Sequence, residues 1–209
     1  MALPYLASEA SVPAAAISNI KYQRSNIKYL LNKPYGYLSQ FITNQTKRKN
    51  QRLLGELGDF PEGTMSVGRL DKDSEGLLLL TTDGKFSAEV TSRRFEKEYY
   101  VQLDGIITRE AIEQLRAGVD ITVNGQVYRT LPAEVRALPE APGFPPRSRP
   151  VRDERHGPTS WASIIIREGK FRQVRKMTAA VGFPTLRLVR VRVGEWRLGE
   201  LKSGEWRVI

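Results

Sequence analysis

Residues 68–84 read GRLDKDSEGLLLLTTDG, and how this stretch is taken decides the fold. Asp71, Asp73, Glu75 and Gly76 fit the opening of a calcium loop, D-x-D-x-[DN]-G. Such a loop needs a bidentate carboxylate at its twelfth position and a helix on each side. Counting from Asp71, that position is Thr82, and Leu77–Thr81 is a continuous apolar run of the kind found in a strand buried on both faces. The calcium reading fails on both counts. What remains is a turn between two strands, Thr64–Val67 and Leu77–Thr81, that presents Asp71 beside Arg69. A carboxylate held near an arginine stays ionised and oriented, and can act as a nucleophile or base. An Arg–Asp pair that merely stiffens a turn fits the same spacing, so the residues alone leave both readings open.

Working outward, Lys28–Asn32 predicts a first strand, ended by the turn Lys33-Pro34-Tyr35-Gly36, since Pro34 has no N–H to give a ladder. Glu96–Leu103 alternates as a strand that offers Tyr99 to one face and Tyr100 to the other. Thr108–Ala117 predicts a helix with Thr108 as its cap and Gly118 as its stop. Asn124-Gly125 between two short β-branched runs signals a hairpin. Six of the 12 prolines fall in residues 139–158, which must be irregular; the segment also holds Arg147, Arg149, Arg152 and Arg155, so it is either a spacer or a basic loop laid on a partner. Trp161–Arg167 predicts a strand, Arg172–Val181 a helix and Leu186–Val193 a last long strand. On that helix Val174, Met177, Thr178 and Val181 form the inward stripe.

The chain of 209 residues has no cysteine, which excludes disulfides, thiolate nucleophiles and cysteine-ligated metals. His156 is the only histidine, so a histidine-based triad or multi-histidine metal site is excluded too. There is no phosphate-binding glycine loop, and no apolar run approaches the roughly 20 residues that span a bilayer. Carboxylate and arginine chemistry is left. The formal charge is +10, and residues 166–209 carry 11 Lys+Arg against 4 Glu. A polyanion is the natural partner of such a surface, although charge alone fits a merely soluble basic protein as well. Residues 44–52 (NQTKRKNQR) hold basic side chains and no acid, which suits either a solvated loop or one that touches phosphate. Arg172 and Arg175 sit at a helix start, where the macrodipole disfavours cations, and this calls for an anion nearby, whether a carboxylate or a phosphate.

At these residues the sequence resembles the RsuA/RluB/RluE/RluF family of bacterial rRNA pseudouridine synthases. GRLDKDSEGLLLLTTDG is similar to that family's signature around its reactive aspartate, Lys97-Glu98-Tyr99-Tyr100-Val101 resembles its K-x-Y-x-V motif, and EGKFRQVRKM (168–177) resembles its E-G-[RK]-x-[RH]-Q-[VI]-R-[RK]-M motif. The resemblance covers residues 27–209. PTSW (158–161) and VGFPTLRL (181–188) make the chain most similar to the RluE branch, which modifies 23S rRNA. Many family members carry an N-terminal S4 RNA-binding domain of about 60 residues; only about 26 residues precede the first strand here, so residues 1–26 are expected to be a disordered extension and 27–209 the catalytic domain, with no S4 domain.

The resemblance implies an α+β fold, a mixed and mainly antiparallel sheet in two α/β halves with a central catalytic cleft. It implies isomerisation of uridine to pseudouridine with no cofactor and no metal. Asp71 would attack the sugar C1′ or take a C2′ proton to give a glycal; the N-glycosidic bond breaks, the base turns, and C5 rejoins C1′. Tyr99 maps to the tyrosine that stacks on the flipped base, Arg175 to the arginine that ion-pairs with the catalytic aspartate, and Leu188 to the apolar residue beside the base. Arg69 would help open the RNA helix, and Lys97 and Arg172 would support the substrate or touch phosphate. The expectation is a cytoplasmic monomer acting on rRNA. The rival reading is a non-catalytic rRNA-binding or ribosome-assembly protein on the same fold.

Overall fold

A computed structural model of the chain describes residues 26–42, 51–92, 95–152 and 154–209. Residues 1–25 of the expected extension and most of the 44–52 loop lie outside these residues. Eleven strands are present among them: β1 (Lys28–Lys33), β2 (Met65–Val67), β3 (Glu75–Thr81), β4 (Lys97–Asp104), β5 (Asp120–Val123), β6 (Gln126–Arg129), β7 (Glu134–Leu138), β8 (Thr159–Ile166), β9 (Thr185–Val193), β10 (Trp196–Arg197) and β11 (Trp206–Val208). Three α-helices accompany them, α1 (Gly84–Thr91), α2 (Arg109–Ala117) and α3 (Gln173–Ala180).

Nine strands form one mixed sheet in the order β11-β1-β3-β9-β4-β8-β7, with β2 also on β3 and β10 on β9; β5 and β6 form a separate hairpin. Every pairing is antiparallel except β3 with β9. That one parallel seam joins two halves, as the expected architecture requires. Its registration is short, Glu75 to Val189 and Gly76 to Arg190, and it depends on a glycine. Gly76 has φ +102°, and a Cβ there would lie 2.3 Å from the Arg190 carbonyl oxygen. Only a residue with no side chain lets the two backbones meet so closely.

β3 is buried along its whole length and divides the core by its alternation. Leu78 and Leu80 join Tyr29, Leu31, Tyr99, Val101, Leu188, Val174 and Met177 on one face; Leu77 and Leu79 join Leu30, Val189 and Val193 on the other. Each of these leucines contributes about 2 kcal/mol by leaving water. α2 and α3 lie on the first face with the β5–β6 hairpin, and α1 packs against β2 and β3.

Several local expectations needed adjusting. A helix the sequence reading did not include follows β3: the Asp83 carboxylate caps α1, accepting from Lys85 N at 2.8 Å and Phe86 N at 3.3 Å, and Phe86 and Val90 bury the helix's inner side. β7 was not anticipated, because only Val135 in its length is fully buried and the alternation is too faint to read. α2 begins as expected, with the Thr108 hydroxyl accepting from Ala111 N at 3.2 Å. The proline-rich segment is no free spacer. Phe144 packs against Tyr100 and Trp161, Arg187 donates to the Pro145 carbonyl at 3.0 Å, and the Arg147 guanidinium lies 4.6 Å from the Tyr35 ring centroid.

Candidate active site

A cleft of about 960 Å³ opens where β3, β4 and β9 meet. Its apolar floor includes Tyr99, Ile166, Val174 and Leu188; Asp71 and Asp73 come from the turn before β3, and Lys170, Phe171 and Arg172 from the turn before α3. Arg69 and Arg149 lie on its rim. Strand alternation explains the floor: Tyr99 shares its face with Val101 and Leu103, and Tyr100 is sent to the opposite face against Phe144.

The turn carrying Asp71 is held from beneath. Ser39 Oγ donates to the Leu70 carbonyl at 2.7 Å and accepts from Leu70 N at 2.9 Å, and Ser74 N donates to the Asp71 carbonyl at 3.0 Å. The Gly68 backbone is left-handed, φ +68°, which supplies the bend before Arg69. Asp71 is therefore presented by a braced backbone, with its side chain 25% exposed in the cleft.

The arginines are distributed differently from the expected pattern. Arg172, not Arg175, reaches Asp71, with Nη1 3.5 Å from Oδ2. The same guanidinium donates two hydrogen bonds to Asp73, at 2.8 and 2.9 Å. Arg175 donates to the Asp73 backbone carbonyl at 2.9 Å and lies 3.5 Å from the Asp73 carboxylate. The expected Asp71–Arg175 pair is thus replaced by an Asp73-centred cluster. The reason is helix geometry: Arg175 stands one turn into α3, above Asp73, whereas Arg172 is the cap residue and faces the cleft mouth. Arg172 adopts φ +54°, a left-handed conformation unfavourable for a residue with a Cβ, and the bidentate bond to Asp73 is the gain that offsets it. Asp73 and Glu75, which the failed calcium reading would have made ligands, are both structural anchors.

These contacts split the behaviour of the two aspartates. Burial pushes the Asp71 carboxyl above its ordinary range and the adjacent Asp73 charge adds to this, more than Arg172 and Arg175 pull it back. Burial also acts on Asp73, but the Arg172 hydrogen bond and the charges of Arg175 and Arg172 outweigh it and hold that carboxyl low. An arginine nearby was expected to keep Asp71 readily ionised; desolvation wins instead, and the group gains basicity.

Lys97 does not line the cleft. β4 has a register shift against β9 between Glu98 and Tyr99, and Lys97 lies beyond it opposite Val193, with its ammonium disfavoured by burial and by Arg190. Arg69 is exposed at the rim and Leu188 is buried in the floor. Lys33 was missed. It is fully buried, donates to the carbonyls of Pro34 at 2.9 Å and Tyr37 at 2.8 Å, and is pushed down to about 7 by desolvation against the pull of Glu75, Asp73 and Asp71. The signal was available: the alternation Tyr29-Leu31-Lys33 puts the lysine on the inward face of β1.

Glu168 and Gln173 explain the EGKFRQ segment. The buried Glu168 carboxylate accepts from Tyr128 Oη at 2.5 Å, Leu131 N at 2.9 Å and Gln173 Nε2 at 2.6 Å, and Gln173 Oε1 accepts from Lys170 N at 2.9 Å. The turn before α3 is thereby pinned to the β5–β6 hairpin on one side and to its own helix on the other.

The comparisons agree with this geometry. A family model described as RNA pseudouridylate synthase matches residues 28–180. Ribosomal large subunit pseudouridine synthase E of Xanthomonas campestris pv. campestris is 48% identical over 181 residues, covering 86% of this chain and 93% of that protein. The protein of the same name from Vibrio parahaemolyticus is 44% identical over 184 residues, covering 86% and 72%. A crystal structure of a pseudouridylate synthase superposes with TM-score 0.69 at 28% identity, covering 89% of this chain and 71% of the other. With its two-halved sheet, its single parallel seam and Asp71 at the cleft between the halves, the chain belongs to the RNA pseudouridylate synthase family.

Proposed function

We propose that the protein isomerises a uridine of 23S rRNA to pseudouridine, with Asp71 as the group that starts the reaction. The observation that carries this is a braced carboxylate of raised basicity in a cleft with an apolar floor, beside a tyrosine ring and ringed by arginines. A flipped uracil finds an apolar surface on Leu188, Ile166 and Val174 and a ring to stack on in Tyr99. Burial of Asp71 favours its acting on the sugar, by attack at C1′ or removal of the C2′ proton, because each step relieves a desolvated charge. The N1–C1′ bond breaks as Asp71 bonds to C1′ or takes the C2′ proton, the base turns within the cleft, C5 bonds to C1′ as the Asp71 carboxylate leaves C1′ or returns the proton to C2′, and the C5 proton leaves as N1 gains one. Arg172 orients Asp71, and Arg175 clamps the turn that carries it; the Arg175 Nε, buried without an acceptor among the described residues, leaves it one bond to give when Asp71 moves.

RNA docking belongs to the rim. Arg69 and Arg149 flank the opening, and the anchored 144–152 segment lays Arg147 and Arg149 along the approach, which suits phosphate contacts made by a cytoplasmic monomer. Likeness to two large-subunit enzymes supports 23S rRNA as the substrate. The test is carbodiimide-adduct primer extension on unmodified 23S rRNA incubated with the protein. A new stop with the parent protein and none with Asp71→Asn, which still binds the RNA, is expected. No new stop with the parent, or the same stop with Asp71→Asn, overturns the reading.

A further inference from the structure

Phe171 breaks the usual order of burial. It is 66% exposed, whereas its neighbour Arg172 is only 34% exposed and turned inward on Asp73 and Asp71. Among the described residues it is the one aromatic side chain in the set of exposed large hydrophobics, and the one member of that set that lines the cleft. Exposure does not come from a loose loop. Glu168 and Gln173 pin the turn on both sides, and the backbone at Arg172 is left-handed, φ +54°. The ring is flanked in sequence by Lys170 and Arg172, and the Lys176 ammonium sits 5.3 Å from its centroid. A rigid aromatic face at the lip of a basic cleft is the arrangement by which proteins hold unpaired bases, since every base has a face to stack and the cations take the backbone.

We propose that Phe171 is a stacking platform for a nucleobase flanking the target uridine, a subsite separate from the Tyr99 position that receives the target itself. The proposal rests on the pseudouridine synthase reading of the cleft. It follows that Phe171 contributes to RNA affinity and placement rather than to the chemical step. Lys170 and Lys176, the latter beside the ring, would meet the phosphates on either side of the stacked base.

The experiment compares the parent with Phe171→Ala, Phe171→Leu and Phe171→Trp on unmodified 23S rRNA transcript, and follows quenching of 2-aminopurine placed next to the modified position in a stem–loop cut from it. Because the ring is exposed, all four proteins should fold alike, which thermal melts verify. Expected is a rise in KM of about tenfold for the Ala and Leu variants with kcat within about twofold, near-parental KM for the Trp variant, and quenching that is lost in Ala and Leu and kept in Trp. Equal KM in parent and Ala, full rescue by Leu, or a fall in kcat alone overturns the stacking role. If the parent itself forms no pseudouridine, the functional reading fails, and the quenching series still decides the stacking role with the same stem–loop.

Discussion

Asp71 and Glu75 flank the start of β3, and each has an arginine beside it, yet the two sites are opposites. Glu75 and Arg187 are 8% and 10% exposed, joined by two hydrogen bonds at 3.0 and 2.8 Å, and sealed on the back of the sheet by Phe144 and Pro145. Asp71 is reached by one guanidinium at 3.5 Å, and that guanidinium is already committed to Asp73. Full pairing turns a buried charge into a structural fastener; partial pairing leaves a carboxylate desolvated, basic and ready to react. The two lie four residues apart, so β3 supplies the anchor and the turn that leads into it supplies the reagent.

The largest expected effect falls on the reactive side. Asp71→Asn should lower pseudouridine formation by more than about a thousandfold while RNA binding persists, as measured by primer extension and filter binding. On the structural side, Glu75→Ala leaves the Arg187 charge buried and unpaired, and should cost about 3–5 kcal/mol in chemical denaturation. The folded fraction of that variant should keep its activity; an inactive protein of parental stability would erase the contrast between the two sites.

Asp73→Asn is the intermediate case. Asp73 at present raises the Asp71 carboxyl by its like charge and occupies Arg172, so its neutralisation removes a repulsion and frees a cation. Both changes favour ionised Asp71, and the acid limb of kcat/KM should move to lower pH; an upward or absent movement counts against Asp71 as the titrating group. The smallest effect is on stability. Because the folded state raises the Asp71 carboxyl, it binds more protons than the unfolded chain between the two values, and stability is lost as pH rises through the folded one. Asp71→Asn removes that loss, so its Tm should exceed the parent's at neutral pH, with the gap closing in acid below the ordinary aspartate range. Asp73 has the reverse sign: its carboxyl is held low, so its contribution is present above the ordinary value and fades as pH falls through the lowered one.

Much of the fold was legible because it is written in short-range patterns. The run Leu77–Leu80, the alternation of Glu96–Leu103 and the Thr108 cap each reflect a local physical preference, and each element appears within a few residues of its expected place. Legibility failed where the signal was shared between uses. Asp83-Gly84 suits a turn or a helix start, and only Phe86 and Val90 finding a surface against β2 and β3 decides for the helix. In the site, Asp71, Tyr99, Leu188 and Arg69 line one cleft, but the pairing of arginines with aspartates does not follow from the motifs.

By itself the sequence determined the chemistry available: one candidate carboxylate on a strand-to-strand turn, no thiol, one histidine, and a surplus of arginine suited to a polyanion. Composition and motif order do this because they need no knowledge of what lies far along the chain. Only the tertiary structure decided which arginine reaches Asp71, that Asp73 gathers both, that Lys33 is buried beneath them, and that Phe171 faces outward. Those facts depend on a helix near the end of the chain packing beside a turn about 100 residues earlier. Desolvation and pairing across that distance set the basicity of Asp71, and no local pattern carries either.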